Sequence, residues 1–150
     1  MPSYANNRKA LHDYSIGETF EAGLVLEGPE VKSVRNSQVS LNGAYISVRG
    51  GEAYLKNAFV ARYKNAANQD SYNENRDRKI LLHKSQIHKL SHALDQKGTT
   101  IIPLEIYTSK RLIKLRIGVG TGKKQFDKRA SIKKKEDKRS ADRAVRNRIK

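Results

Sequence analysis

The sequence predicts a mainly β protein: a small antiparallel barrel with two or three short helices, followed by a basic tail. Three observations carry this. Alternating apolar and polar residues recur in short runs divided by glycine-containing turns, from Tyr14 to Val119. Two windows, opened by Gly28-Pro29 and by Ser85, have helical spacing instead. From Thr121 to Lys150, thirteen Lys and Arg stand against four Asp and Glu, and the large apolar side chains are only Phe126, Ile132, Val145 and Ile149. The expected division is a barrel over residues 1–120 and a tail over 121–150.

Each element has its own signal. Residues 14–26 carry Ile16, Phe20, Ala22, Leu24 and Leu26 across Gly17 and Gly23, which predicts a long strand bent at a glycine. Gly28-Pro29 starts a short helix, with Val31 and Val34 on its buried face and Lys32 and Arg35 away from it. Residues 44–48 and 53–59 flank Arg49-Gly50-Gly51-Glu52 as a hairpin. The Asn-rich stretch 64–78 is polar enough to be a surface loop. Residues 79–83 form a short strand, and Ile87, Leu90 and Leu94 share one face of a helix over 85–97, stopped by Gly98. Strands over 99–108 and 112–119 close a last hairpin across Ser109-Lys110-Arg111. About six sequential strands suit a small barrel of the oligonucleotide-binding type.

The tail has too little apolar surface to offset its ordering entropy, so it is expected to be disordered when free. Helix remains open to it, because Ala141, Val145 and Ile149 would stack on one face and no Pro or Gly comes after Gly122. It is expected to fold on a partner.

Charge points to the partner. The chain has 31 Lys and Arg against 15 Asp and Glu, a formal charge of +16, of which the last thirty residues hold +9. Such a field draws polyanions. An anionic membrane is the weaker choice, since there is no long uncharged apolar run and residues 1–13 are polar and basic. The lack of cysteine removes disulfides, thiolate metal sites and a cysteine nucleophile, and agrees with a cytoplasmic location.

No enzyme constellation emerges. His88 and His92 are four residues apart on the second helix, but no acidic partner stands at ligand spacing, so no metal or other cofactor is expected. The glycines of Gly118-Val119-Gly120-Thr121-Gly122-Lys123-Lys124 lack the spacing and the Ser/Thr of a phosphate-binding loop and are expected to be a flexible exit to the tail. Cations beside rings or amides are more informative: Arg8 and Lys9 near Asn7 and Tyr14, Lys32 and Arg35, Arg76 with Arg78 and Lys79, and Phe126 among Lys123, Lys124, Lys128 and Arg129. Cations bind phosphates, and rings or guanidinium planes stack on unpaired bases, so four such clusters favour RNA.

These clusters also carry a family resemblance. The segments NRKALHDY (7–14), ETFEAGLVLEGPEVKSVR (18–35), RDRKILLHK (76–84) and GVGTGKKQFDKRASIK (118–133) resemble, in order, those of the SmpB family, the SsrA-binding proteins of bacterial trans-translation. The resemblance implies an oligonucleotide-binding-type barrel that grips the tRNA-like domain of transfer-messenger RNA (tmRNA, or SsrA RNA), with no catalysis. It further implies delivery of that RNA to stalled ribosomes and a monomeric protein. The tail would fold as a helix on the ribosome, probing the empty mRNA channel and the small-subunit RNA of the decoding centre.

By matching positions it implies RNA binding by Asn7, Arg8, Lys9, Glu30, Lys32, Ser33, Arg35, Arg76, Arg78, Lys79 and Leu81. Gly122, Lys123, Lys124, Phe126, Asp127, Lys128 and Arg129 would act at the decoding centre. Phe126 stands where Tyr or His is common in the family, and Asp137 where many relatives carry an aromatic. Composition alone fits a second class equally well, a structural ribosomal protein with a basic extension.

Overall fold

Nine strands and three helices make up residues 3–63 and 72–122, the part of the chain that this computed structural model describes. In chain order they are β1 (Ser3–Asn6), α1 (Arg8–Asp13), β2 (Tyr14–Leu24), α2 (Gly28–Arg35), β3 (Val39–Ser40), β4 (Tyr45–Arg49), β5 (Glu52–Lys56), β6 (Phe59–Val60), β7 (Arg78–Leu81), α3 (Lys84–Leu94), β8 (Thr99–Ser109) and β9 (Leu112–Gly122). Strands β8, β4, β5, β7, β2 and β9 pair in that order, and β9 pairs back onto β8, closing a six-stranded antiparallel ring. The expected small barrel is therefore present.

Local chemistry explains the ring. In β9, Ile113, Leu115 and Ile117 are buried while Arg116 between them is exposed, so one period-2 face fills the interior. Phe20 and Ala22 of β2, Ala53 and Leu55 of β5, and Ile80 of β7 join them in one core. Strand β2 breaks register between Ile16 and Thr19, a bulge around Gly17 that bends the long strand. Strand β8 serves two partners on one edge: Ile101 faces Ile46 of β4, and its far half, from Glu105 to Tyr107, pairs with β1. Leu90 of α3 is fully buried against the ring, and burying one such side chain contributes about 1.5–3 kcal/mol.

The structure departs from the sequence expectation in four places. Strand β1, helix α1 and the two-residue strands β3 and β6 are additional elements, too short to show a period. Helix α3 ends at Leu94, before the Gly98 stop. The stretch expected to be surface loop up to residue 78 is, in its described part, an anchored strap, because Tyr72 donates to the Val60 carbonyl and Arg78 to the buried Glu30 carboxylate. Strand β9 runs on to Gly122, which pairs with Tyr14, so Gly118 and Gly120 do not form a flexible exit. Both lie inside the paired strand with neighbours packed over them. A Cβ on Gly120 would stand 2.6 Å from Ile102 Cδ1 and 3.2 Å from Tyr14 Cβ, and one on Gly118 would stand 2.8 Å from Ile16 Cγ2. These glycines serve close packing.

Candidate nucleic-acid interface

Helix α1 is held by the residue that caps it. Asn7 is only 2 % exposed. Its Oδ1 accepts from the Ala10 amide at 3.2 Å, and its Nδ2 donates to the carbonyls of Pro103 at 2.9 Å and Leu41 at 3.3 Å. One amide thus fixes α1 against two separate parts of the barrel and leaves Arg8 and Lys9 in solvent. Lys9, Tyr14 and Tyr45 line a hollow of about 370 Å³ beside it.

Helix α2 is held by a buried ion cluster. Glu30 is 1 % exposed and Arg78 0 %. All five guanidinium N–H groups of Arg78 find acceptors: Glu30 Oε2 at 2.9 Å, the carbonyls of Ala58 (2.9 Å), Arg76 (3.2 Å) and Glu74 (3.1 Å), and the Tyr72 hydroxyl oxygen at 3.0 Å. Glu30 also accepts from Arg76 Nε at 2.9 Å and Nη2 at 2.5 Å, a two-pronged grip, and from the Glu27 amide at 2.9 Å. The Tyr72 hydroxyl donates to the Val60 carbonyl at 2.8 Å, and Ser33 Oγ donates to the Ala61 carbonyl at 2.7 Å. The helix, the segment after β6 and the strap before β7 are tied together through these groups.

Burial pushes the Glu30 carboxyl up, but the hydrogen bonds from Arg76 and the Glu27 amide, then the charge and hydrogen bond of Arg78, outweigh it and hold it below its ordinary 4.5. A carboxyl lowered on folding stabilises the fold above its unfolded value, and that contribution is lost as pH falls through the folded one. The expected melting temperature is therefore level from pH 7 to 5 and declines below about pH 4. Circular-dichroism melts across that range check this, and a Glu30→Gln variant should decline less.

A groove of about 280 Å³ opens beside α2. Leu24, Leu26, Val31 and Ile113 line it, together with Leu81 and Leu112, and so do Arg35, Arg111 and Lys114. Leu81 and Leu112 are 54 % and 59 % exposed, high for leucine at a strand end. Arg35 Nη2 donates to the Arg111 carbonyl at 3.3 Å. None of the three cations has an ion-pair partner among the described residues. Leu81 and Lys114 also line an adjoining hollow with Glu21, whose carboxylate accepts from the Tyr107 hydroxyl. Burial, and then that hydrogen bond, push Tyr107 up to about 12, so it stays a donor at any physiological pH.

The residues singled out in the sequence separate into groups. Arg35 and Leu81 meet in the groove, and Glu30, Ser33, Arg76 and Arg78 meet beneath α2. Arg8 and Lys9 are exposed on α1, Lys32 is exposed with its ammonium 5.4 Å from the Tyr63 ring, and Lys79 pairs with Glu52 at 2.8 Å. Gly122 ends β9, while Lys123, Lys124, Phe126, Asp127, Lys128 and Arg129 lie outside the described residues. Glu21, Arg111, Leu112 and Lys114 escaped the sequence reading. Lys114 does lie between Ile113 and Leu115 in an alternating run, which marks it as outward-facing. Nothing local shows that it meets α2.

The SmpB protein family matches residues 4–147. The chain belongs to this family. Among SmpB relatives, the SsrA-binding protein of Rubrobacter xylanophilus is 46 % identical over 149 residues, 99 % of either chain. The SsrA-binding protein of Latilactobacillus sakei is 49 % identical over 144 residues, covering 96 % of this chain and 92 % of its own. A solved chain described under "tmRNA-SmpB: a journey to the center of the bacterial ribosome" superposes with a TM-score of 0.71 at 38 % identity, covering 88 % of this chain and 95 % of that one. The barrel is thus the SmpB form of the oligonucleotide-binding-like fold, and a structural ribosomal protein is the less favoured class.

Proposed function

We propose that this chain binds the tRNA-like domain of tmRNA and brings it to stalled ribosomes for trans-translation, without a catalytic step of its own. The observation that carries the reading is the groove beside α2, where three cations without carboxylate partners among the described residues border exposed leucines. Cations take phosphates, and apolar surface takes the faces of riboses and unpaired bases. Membership of the SmpB family and the names of its relatives supply the RNA's identity.

In this reading Arg8, Lys9, Lys32, Arg35 and Leu81 touch RNA, joined by Arg111, Leu112 and Lys114. Asn7, Glu30, Ser33, Arg76 and Arg78 position the helices that carry them, and Lys79 adds charge from β7. The barrel and the tail act as two units, the tail inspecting the vacant mRNA channel and decoding centre in the cytoplasm.

Purification of the tagged protein, with sequencing of the bound RNA, tests this directly. One small structured RNA is expected, not ribosomal subunits in unit ratio. Replacing Arg35 and Lys114 together by alanine should weaken binding to a transcript of the tRNA-like domain by at least about tenfold, and flatten the salt dependence by roughly one unit of slope per lost phosphate contact. Recovery of a mixture of unrelated RNAs would sink the assignment.

A further inference from the structure

We propose that the turn Lys110-Arg111 is a clamp for an RNA backbone phosphate, kept in an unfavourable backbone conformation so that Arg111 stands at the groove with Lys110 exposed beside it. The inference rests on the RNA-binding reading above and adds to it a site that lies outside the segments of family resemblance.

Ser109 pairs with Leu112, so only two residues join β8 to β9. A two-residue connection whose twist matches its strands needs positive φ at both positions, which is why Asn-Gly and Gly-Gly dominate there. Here φ is 52° at Lys110 and 68° at Arg111. Both residues carry a Cβ, which clashes in the left-handed region. The same barrel solves the same problem differently between β4 and β5, where Gly50 and Gly51 take φ values of 61° and 78° without that clash. Backbone strain of this kind persists where surrounding structure over-determines it, and it gathers at functional sites.

The surroundings indicate what the strain serves. Arg111 lines the groove with Arg35 and Lys114, and the Arg35 guanidinium donates to the Arg111 carbonyl, tying the turn to α2. Lys110 is exposed in the same turn. Among the described residues no acid lines this groove, so three like charges gather where an arriving anion would relieve their repulsion. The neighbouring Leu81 and Leu112 suit a phosphate that comes with a ribose or a base attached.

Two variants separate strain from charge. Lys110→Asn with Arg111→Gly restores the favoured turn and removes both cations. Arg111→Gln removes one cation and leaves the strain. The double variant should melt about 5 °C higher, bind a transcript of the tRNA-like domain about tenfold more weakly, and lose roughly one to two units of salt slope. Arg111→Gln should weaken binding and lose about one unit of slope with no gain in melting temperature. If the double variant binds with unchanged affinity and slope while the parent binds well, the clamp is wrong and the broader reading stands. A lower melting temperature of the double variant would overturn the strain. A parent that ignores the transcript would remove the broader reading as well.

Discussion

Glu30→Ala is expected to lower the folding stability by about 3–5 kcal/mol and to weaken the proposed RNA binding, although it takes a negative charge away from a chain of formal charge +16. The reason is the partner left behind. Arg78 is 0 % exposed and Glu30 is its only ion-pair partner among the described residues, so the truncation leaves a buried, uncompensated guanidinium. Arg76 would lose its two-pronged acceptor at the same time. With the cluster open, α2 and its Lys32 and Arg35 are no longer held against the strap.

Simple charge attraction predicts the opposite sign for binding. Urea unfolding combined with transcript titration at several salt concentrations decides between the two, and a gain in affinity at unchanged stability would refute the positioning role. Removing both buried charges, by Glu30→Met with Arg78→Met, should recover part of the lost stability, because two apolar side chains avoid the stranded charge.

Removing residues 123–150 should leave binding of the tRNA-like domain within a few-fold of the full chain, yet abolish peptide tagging on stalled ribosomes. The groove, α1 and α2 are all built before Gly122, and Gly122 itself pairs with Tyr14, so the cut belongs after it. The deleted segment carries all thirteen basic residues of the tail, so the non-specific, salt-sensitive part of RNA affinity should shrink while the specific part persists. The isolated segment should show little helical circular dichroism. Complete loss of transcript binding would mean that the tail, and not the barrel, is the chief grip.

Legibility in the sequence tracked the range of the forces involved. The β4–β5 hairpin, the β8–β9 hairpin and helix α2 were readable because alternation, a Gly-Gly turn and an N-terminal proline act within a few residues. Strands β1, β3 and β6 were not, because two to four residues cannot display a period and these are held by what they pair with. Arg78 looks like any solvated cation in the sequence. Only its five acceptors, drawn from residues as distant as Glu30, make it a core residue. In the candidate site, Arg35 and Leu81 were identified on separate segments, whereas their meeting with Arg111 and Lys114 is a product of ring closure. Gly118 and Gly120 misled for a related reason, since a glycine-rich run looks mobile until the side chains facing it are known.

The seam at the end of β9 has a mechanical consequence. Gly122 pairs with Tyr14, and its amide donates to the Gly98 carbonyl at 3.3 Å, so the chain leaves the barrel from a point fixed on two sides. Residues 123–150 therefore follow directly from an anchored residue. These 28 residues can reach about 95 Å when extended and about 42 Å as one helix. If the tail acts as proposed, winding it into a helix would shorten it by about half without moving its root, so the distance it could probe would follow from how much of it has wound.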